Sequence, residues 1–368
     1  MKLSVLDQSV ACAGRGEDDA LRDTLALAPW CESLGYHRFW VSEHHALPTI
    51  VGSAPEVLMA AIAARTERIR IGSAGVMLPH YSALKVAEVF RVLDALAPGR
   101  IDLGVGRAPG SDMRTAMALN PLAGAAAEQF PQQVLDLQAW VSGARHQGIV
   151  ALPRPPEGSG SERSPAIWIL GSSDYGAQLA AHLGLPYAFA YFFMDGQGVE
   201  QALALYRQLY RPSARHTRPQ ATICVWALAA DSEAEARHHA LSRERWRIDR
   251  QRGRLGPLQA PDDIAAAGYT ADEWAIVEPT RRRAIVGSAA QVGTLLRDLA
   301  DALQLDELVI NTWAHDPAVR RRSYQLIAAE FGLPAGSAPE SKAQKEIAPA
   351  YLAARRGRRQ SRREAPDR

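Results

Sequence analysis

Four polar residues follow one apolar stretch of the chain, in the order Ser42-Glu43-His44-His45. Neighbouring imidazoles beside a carboxylate can act as a general base, contact an anion or ligate a metal. Metal ligation is the weakest of these options, because adjacent residues of a strand point to opposite faces. The structural alternative is that one histidine makes a hydrogen bond in the core while the other faces solvent. We predict no metal site.

An arginine lies within a glycine-rich stretch at 104–112. A glycine such as Gly106 at a strand end lets a flat ligand approach the backbone closely. Arg107, which comes next, can hold a phosphate through paired, charge-assisted hydrogen bonds. The alternative is that Arg107 forms an ion pair with Asp112 or another surface acid.

Small and hydroxyl-bearing residues end two further apolar stretches. Gly171, Ser172 and Ser173 lead directly into a predicted helix, where free backbone N–H groups, the helix dipole and the serine hydroxyls favour an anion. Ordinary capping of that helix by Ser173 or Asp174 is the alternative, and both can hold at once. The small residues at 73–75 either leave room for a planar ring or form a tightly packed turn.

Alternating strands and helices must position these residues. Apolar stretches predict eight strands at 3–6, 38–42, 69–76, 101–106, 167–170, 187–190, 222–228 and 308–311. Amphipathic spacing predicts helices at 20–34, 55–65, 84–95, from 171 to 182, 199–210, 234–247, 291–303 and 319–331. This alternation favours an α/β fold with parallel pairing, closed as a (β/α)₈ TIM barrel whose chemistry sits at the carboxyl ends of the strands. An open doubly wound sheet is the alternative, but no glycine-rich dinucleotide turn follows the first strand.

Three segments depart from the repeat. Residues 150–165 form an irregular, proline-rich connection, and 251–284 form a long insertion that we interpret as a lid over the site. The barrel domain spans 1–335. The basic tail at 336–368 has no apolar periodicity, and we predict that it is disordered and solvated.

The composition limits the class of protein. The chain has 368 residues with 42 Lys and Arg against 40 Asp and Glu, so the formal charge of +2 gives no field that steers nucleic acid or membranes. Three scattered cysteines are typical of thiols in a reducing compartment. No apolar run approaches the roughly twenty residues of a membrane span. We therefore expect a soluble, cytoplasmic protein.

Several sequence strings resemble the bacterial luciferase-like flavin-dependent monooxygenases, most closely their single-chain luciferase-like oxidoreductase subgroup. The strings are FWVSEHH at 39–45, GSAGVMLP at 72–79, PGRIDLGVGRAPGSD at 98–112, LGSS at 170–173 and AHLGLP at 181–186. The resemblance covers about 1–335 and implies a barrel that binds reduced flavin mononucleotide (FMN), supplied by a separate flavin reductase. It also implies a flavin ring at the strand ends and, by analogy, a homodimer.

The resemblance assigns roles to individual residues. It makes His44 the catalytic base and puts the FMN phosphate near Arg107 and the pair Ser172 and Ser173. It implies that a cis peptide joins Ala74 and Gly75 beneath the ring.

The chain departs from the family at three places. Gly106 stands where luciferase has a reactive cysteine, which excludes a thiol mechanism. Gly176 stands where close relatives carry a hydroxyl residue, so the phosphate has one contact fewer. The insertion at 251–284 differs in sequence, so substrate contacts cannot be transferred.

The sequence thus predicts a monooxygenase that uses reduced FMN and oxygen to oxidise a small organic substrate, with aldehydes and aromatic compounds as candidates. One alternative is a deazaflavin-dependent oxidoreductase that transfers hydride on the same barrel. Another is a flavin-binding protein without catalytic activity. The expected partners are the substrate, oxygen and the reductase, with no specific nucleic acid and no membrane.

Overall fold

The computed structural model describes residues 1–108, 112–159 and 163–336. The described residues form nine strands: β1 (Lys2–Asp7), β2 (Arg38–Val41), β3 (Arg70–Met77), β4 (Ile101–Gly106), β5 (Ala166–Gly171), β6 (Tyr187–Phe189), β7 (Ala221–Ala230), β8 (Ile285–Ser288) and β9 (Glu307–Asn311). Residues Met1–Ala335 pack as one compact unit. Apart from Gly336, the tail at 336–368 lies outside the described residues, so its disorder stays a prediction.

Eight of the described strands close into a parallel barrel. The strands from β1 to β7 pair in chain order, and β9 pairs with both β7 and β1 to complete the ring. The predicted (β/α)₈ barrel is therefore confirmed. Parallel pairing brings all eight carboxyl ends to one side, where the candidate residues lie.

The strand β8 is a ninth strand that the sequence analysis missed. The ten-residue β7 is longer than its neighbours, and its last four residues, 227–230, pair with β8 beyond the barrel ring. The pairing partner of β8 is the end of β7, which runs past the predicted strand at 222–228 and is supplied only by the fold.

Helices surround the barrel: α1 (Glu17–Ser33), α2 (Pro55–Ala63), α3 (Ala83–Leu96), α4 (Met113–Leu119), α5 (Ala123–Glu128), α6 (Phe130–Val141), α7 (Asp174–Leu183), α8 (Val199–Leu209), α9 (Glu233–Gln251), α10 (Pro261–Ala267), α11 (Ala271–Arg281), α12 (Ala289–Leu303) and α13 (Pro317–Glu330). The helices α4 to α6 had no counterpart in the sequence analysis. Within 251–284, α10 and α11 give the insertion regular structure; its role as a lid stays a prediction. No helix of the described residues is long and apolar enough to cross a membrane.

A buried ionic network ties the strands together at the amino-terminal end of the barrel. Arg38 of β2 donates to Asp102 of β4 over 2.7 Å and to Glu307 of β9 over 2.8 Å. Asp102 also accepts hydrogen bonds from Arg70 and from the indole of Trp40. Burial raises the pKa of Asp102, but the charges of Arg38 and Arg70 outweigh burial and hold that pKa below its ordinary value.

The barrel interior is a packed core. Side chains from six strands form one buried cluster there, made of Leu6, Trp40, Ala166, Trp168, Ala188, Cys224 and Val309. These side chains fill the middle of the barrel, and the candidate residues border open space above the carboxyl ends of the strands.

Candidate functional site

A cavity of about 320 Å³, here called the first chamber, lies at the carboxyl ends of the strands. All the residues that the sequence analysis proposed for a site lie on its wall: His44, Ala74, Gly75, Gly106, Arg107, Gly171, Ser172, Ser173 and Gly176. The fold thus brings together residues that are spread over more than a hundred positions of the sequence. Their individual roles remain predictions.

One side of the first chamber is built from small residues. Pairing between β3 and β4 shifts register between Ser73 and Val76, and the peptide bond between Ala74 and Gly75 is cis, as the resemblance implies. A Cβ added at Gly75 would collide with Leu170. At Gly106 an added Cβ meets no atom within 4 Å, so the wall there borders open space. The result is a smooth face against which a flat ring can lie.

Arg107 and the amino terminus of α7 converge on another part of the wall of the first chamber. The Arg107 guanidinium carbon lies 4.0 Å from the centre of the Tyr175 ring, and Tyr175 belongs to the first turn of α7. Ser173 is the N-cap of α7, yet its side chain makes no capping hydrogen bond. Asp112, the alternative partner of Arg107, accepts a hydrogen bond from the backbone of Thr115 and caps α4. No ion pair links Arg107 to an acid within the described parts of the chain.

Close packing explains the glycine at 176. A Cβ added to Gly176 would lie 3.3 Å from the ring of Tyr187, whose hydroxyl donates to the carbonyl of Ser173 over 3.2 Å. A larger residue at this position would have to displace Tyr187. Where the resemblance implies a hydroxyl residue, this chain has Gly176, and the ring of Tyr187 occupies the space that a larger side chain would need.

The two histidines have different surroundings. His45 is 2.8 Å from the carboxylate of Glu43, which also accepts hydrogen bonds from the Tyr81 hydroxyl and the backbone N–H of Met77. The half-buried His44 lines the first chamber, and its Nδ1 lies 3.2 Å from the Ser42 hydroxyl oxygen.

The His44 imidazole is neutral at physiological pH. Burial, helped by the nearby charge of His45, lowers the pKa of His44 to about 4. A neutral imidazole can accept a proton, which is the state that a general base requires. In the described residues, no group of three or more His, Cys, Asp or Glu side chains is arranged to hold a metal ion.

A second cavity of about 370 Å³, the second chamber, adjoins the first. The two share the wall residues Gln8, His44, Phe192 and Phe193. Tryptophans dominate the rest of the second chamber, which also carries two arginines of α9: Trp226, Trp246, Trp313, Arg243 and Arg250.

The sequence analysis missed the second chamber because it considered only strand ends. Arg243, Trp246 and Arg250 recur at the spacing i, i+3, i+7, which puts them on one face of α9. That spacing was a readable signal of a functional helix face.

Residues 1–304 match the family model described as luciferase-like monooxygenase. The chain belongs to the luciferase-like monooxygenase family. This luciferase-like monooxygenase is 39% identical over 323 residues to a protein of that name from Escherichia coli (strain K12), covering 88% of this chain and 95% of that protein. It is 36% identical over 335 residues to the N-acetyl-S-alkylcysteine monooxygenase of Bacillus subtilis (strain 168), covering 89% and 97%.

Solved structures agree with the assignment to the luciferase-like monooxygenases. The crystal structure of apo-MsnO8 superposes with a TM-score of 0.84 at 35% identity, covering 91% of this chain and 99% of that one. The oxygenating constituent of 3,6-diketocamphane monooxygenase from Pseudomonas putida, in complex with FMN, has a TM-score of 0.65 at 18% identity, covering 89% and 96%. An F420-dependent secondary alcohol dehydrogenase has a TM-score of 0.61 at 12% identity, covering 89% and 98%. The last two likenesses show the fold alone.

Membership of the family fixes the reaction class. As a luciferase-like monooxygenase, the protein is an oxidoreductase that incorporates oxygen into a substrate.

Proposed function

We propose that this monooxygenase binds reduced FMN in the first chamber and uses oxygen to oxidise a small organic substrate in the second. The observation that carries the proposal is the convergence of Arg107 with the start of α7 on one wall. A cation, two hydroxyls and a helix amino terminus suit a phosphate. The smooth face at 74–75 and Gly106 suits a planar ring.

The residues present therefore fit FMN. Arg107, Ser172 and Ser173 would hold the phosphate, and Ala74 with Gly75 would lie against the ring. When bound, the reduced flavin supplies the electrons that activate oxygen. The protein contributes binding, orientation and a wall of apolar side chains that excludes water.

His44 supplies the proton chemistry in this proposal. Its Nδ1 faces the Ser42 hydroxyl, which leaves Nε2 as the nitrogen without a hydrogen bond to any described residue. Because burial keeps the imidazole neutral, Nε2 can take a proton from the substrate. His44 stands on the wall common to both chambers, beside both the proposed flavin and the proposed substrate.

Two partners complete the proposal. A separate flavin reductase supplies the reduced FMN, and two copies of the chain form a homodimer by analogy with the family. The candidate substrates are aldehydes and aromatic compounds, to which the name of the Bacillus subtilis relative adds N-acetyl-S-alkylcysteines.

Oxygen consumption and product formation test the proposed function together. The protein is loaded with reduced FMN without air, oxygen is admitted, and each candidate substrate is added in turn. We expect product that contains an atom of the supplied oxygen, in an amount that follows oxygen uptake. Turnover without oxygen in the presence of a reduced deazaflavin would instead support the hydride-transfer alternative. FMN binding with peroxide release and no product from any substrate would support a flavin-binding protein.

A further inference from the structure

Two arginines on the wall of the second chamber are not ion-paired with any described residue. They are Arg243 and Arg250, and neither guanidinium makes a hydrogen bond or ion pair with a described residue. The guanidinium carbon of Arg243 lies 4.3 Å from the centre of the Trp226 ring, and that of Arg250 lies 5.4 Å from the centre of the Trp246 ring. Both arginines are therefore held on aromatic faces while their N–H donors stay available.

Other arginines of α9 are paired with acids. Arg245 donates to Asp249 and Glu273, and Arg247 makes two hydrogen bonds of 2.8 and 2.7 Å to Asp195. Arg237, one helical turn after Glu233, pairs with that residue over 2.7 Å. None of these three lines the second chamber. The unpaired arginines of this helix are thus the ones that face the chamber, which is the pattern expected of a ligand site.

Burial makes the unpaired state of Arg243 costly. Burial, reinforced by the neighbouring charge of Arg247, lowers the pKa of Arg243 to about 9, while Asp195 and Glu244 act in the opposite direction. Arg243 is half-buried, and an anionic ligand that paired with its guanidinium would offset the cost of this partial burial. The acid on the wall is Asp112, whose carboxylate caps α4.

Apart from the arginines, much of the wall of the second chamber is apolar or aromatic. The rings of Trp246 and Trp313 pack edge to face with centres 4.7 Å apart. Gln8 accepts hydrogen bonds from Asn311 and from the Trp313 indole, so its carbonyl is already used within the protein. A ligand of this chamber would therefore meet the two arginines, a few other polar side chains such as Asp112 and Asn311, and apolar or aromatic surface elsewhere.

We propose that the second chamber selects substrates that carry a carboxylate, which Arg243 binds while an apolar body packs among Trp246, Trp313 and Phe192. This inference rests on the proposed function, because it assigns the second chamber to the substrate. Arginine is suited to the role, since its planar fork matches both oxygens of a carboxylate. Arg250 adds charge at an exposed position and contributes less.

A pair of matched probes tests the proposal without any turnover. Phenylacetate and phenylacetamide have nearly the same shape and differ in charge. Binding of each to the full-length chain is followed by tryptophan fluorescence, because three tryptophans line the chamber. We expect the carboxylate to bind at least about tenfold more tightly than the amide, as for a charge-assisted hydrogen bond.

Substitutions of single arginines test which residue causes the preference for the carboxylate. Arg243→Gln should remove at least about tenfold of the carboxylate preference, and Arg243→Lys should retain only part of it, because the charge remains while the paired hydrogen bonds are lost. Arg237→Gln is the matched control, an exposed arginine of the same helix outside the chamber, and should behave as the unmodified protein. Circular dichroism checks that each variant is folded.

Four results would overturn the inference: equal binding of both probes, binding of neither at millimolar concentration, retention of the preference in Arg243→Gln, or loss of it in Arg237→Gln.

A parallel titration with FMN separates this inference from the proposed function. If Arg243→Gln weakened FMN rather than phenylacetate, the arginine would belong to a phosphate site and the inference would be wrong. If FMN failed to bind the unmodified protein while phenylacetate selectivity persisted, the flavin proposal would be wrong instead.

Discussion

His44 and His45 are neighbours in the sequence with different surroundings in the structure. The carboxylate of Glu43 holds His45, whereas burial leaves His44 neutral on the wall between the two chambers. A catalytic base needs an available lone pair, and the neutral His44 imidazole has one; its role as the base belongs to the proposed function. The structural alternative considered from the sequence fits His45.

Replacing His44 tests its role. We predict that His44→Ala lowers the rate of substrate oxidation by about 10²–10⁴-fold, the usual contribution of a general base, and leaves FMN affinity unchanged. Single-turnover oxidation and an anaerobic FMN titration measure the two effects separately. His182→Ala, at an exposed position on α7, is the control. Unchanged turnover in His44→Ala would remove His44 from the mechanism.

The lowered pKa of His44 predicts how kcat/KM depends on pH. A base functions above its own pKa, so a pKa lowered to about 4 keeps His44 competent through the neutral and mildly acidic range. We expect kcat/KM to stay level as pH falls past 6.5 and to decline only as pH approaches 4. Initial rates over this range, with circular dichroism to detect acid unfolding, measure the profile. A decline centred near pH 6.5 would contradict a buried, neutral imidazole.

Sequence reasoning found the residues of the first chamber because each follows a strand end, and parallel strands bring their carboxyl ends together. It missed Tyr175, although that residue fixes Arg107, because a stacking contact leaves no pattern in the chain. It also missed Arg243 and Arg250, which lie on a helix rather than at a strand end.

At the scale of elements, β3 and β4 form the face on which the ring is proposed to lie. Two glycines of β4 differ in their surroundings. A Cβ at Gly104 would collide with the carbonyl oxygen of Ser73 in β3, whereas a Cβ at Gly106 meets nothing within 4 Å. Gly104 is therefore required by strand packing, whereas no described residue requires glycine at 106.

This difference predicts opposite results for two alanine variants. Gly104→Ala should lower the free energy of unfolding by about 1–3 kcal/mol, as for an overpacked core position. Gly106→Ala should keep its stability and bind reduced FMN more weakly, because the methyl group enters the open space beside the ring. Denaturant unfolding and FMN titration of both variants measure these quantities. Equal stability losses, or full FMN affinity in Gly106→Ala, would contradict the proposed position of the ring.

The elements of the barrel repeat were predicted, including the short β2 and β6, and elements outside that repeat were missed. The eight barrel strands follow from apolar stretches separated by amphipathic helices. The helix α6 buries Phe130, Val134, Leu137 and Val141 at helical spacing, so it was readable and overlooked. The strand β8 was not readable, since it exists through pairing with the extended end of β7.

At the scale of the whole molecule, the candidate site and a buried ionic network lie at opposite ends of the barrel. The chambers lie at the carboxyl ends of the strands, and the buried network of Arg38, Asp102 and Glu307 lies at the amino-terminal ends. A substitution in the network should therefore change stability without changing the site.

Removing the carboxylate of Asp102 tests this separation. Asp102→Ala leaves Arg38 and Arg70 without a shared partner, so we predict a loss of about 3–5 kcal/mol in the free energy of unfolding. FMN affinity of the folded fraction should not change. Asp231→Ala, which removes the exposed partner of Arg322, is the control and should have little effect on stability. Denaturant unfolding at neutral pH measures both variants.

The pH dependence of stability provides a second readout. Because the folded pKa of Asp102 is held below its ordinary value of 3.8, its contribution is complete above that value and is lost as pH falls through the folded pKa. Stability should thus fall more steeply in acid for the unmodified protein than for Asp102→Ala. Parallel acid profiles would show that Asp102 is not a stabilising charge.

The proposed FMN site depends most on the phosphate contact shared by Arg107 and the start of α7. Reduced FMN and reduced riboflavin differ only in the phosphate, so titrating both against the unmodified protein and Arg107→Gln isolates that contact. We predict that the unmodified protein prefers FMN by at least about tenfold, and that Arg107→Gln loses this preference with its riboflavin affinity intact. Equal weakening of both flavins, or an unchanged preference for FMN, would contradict the proposed site.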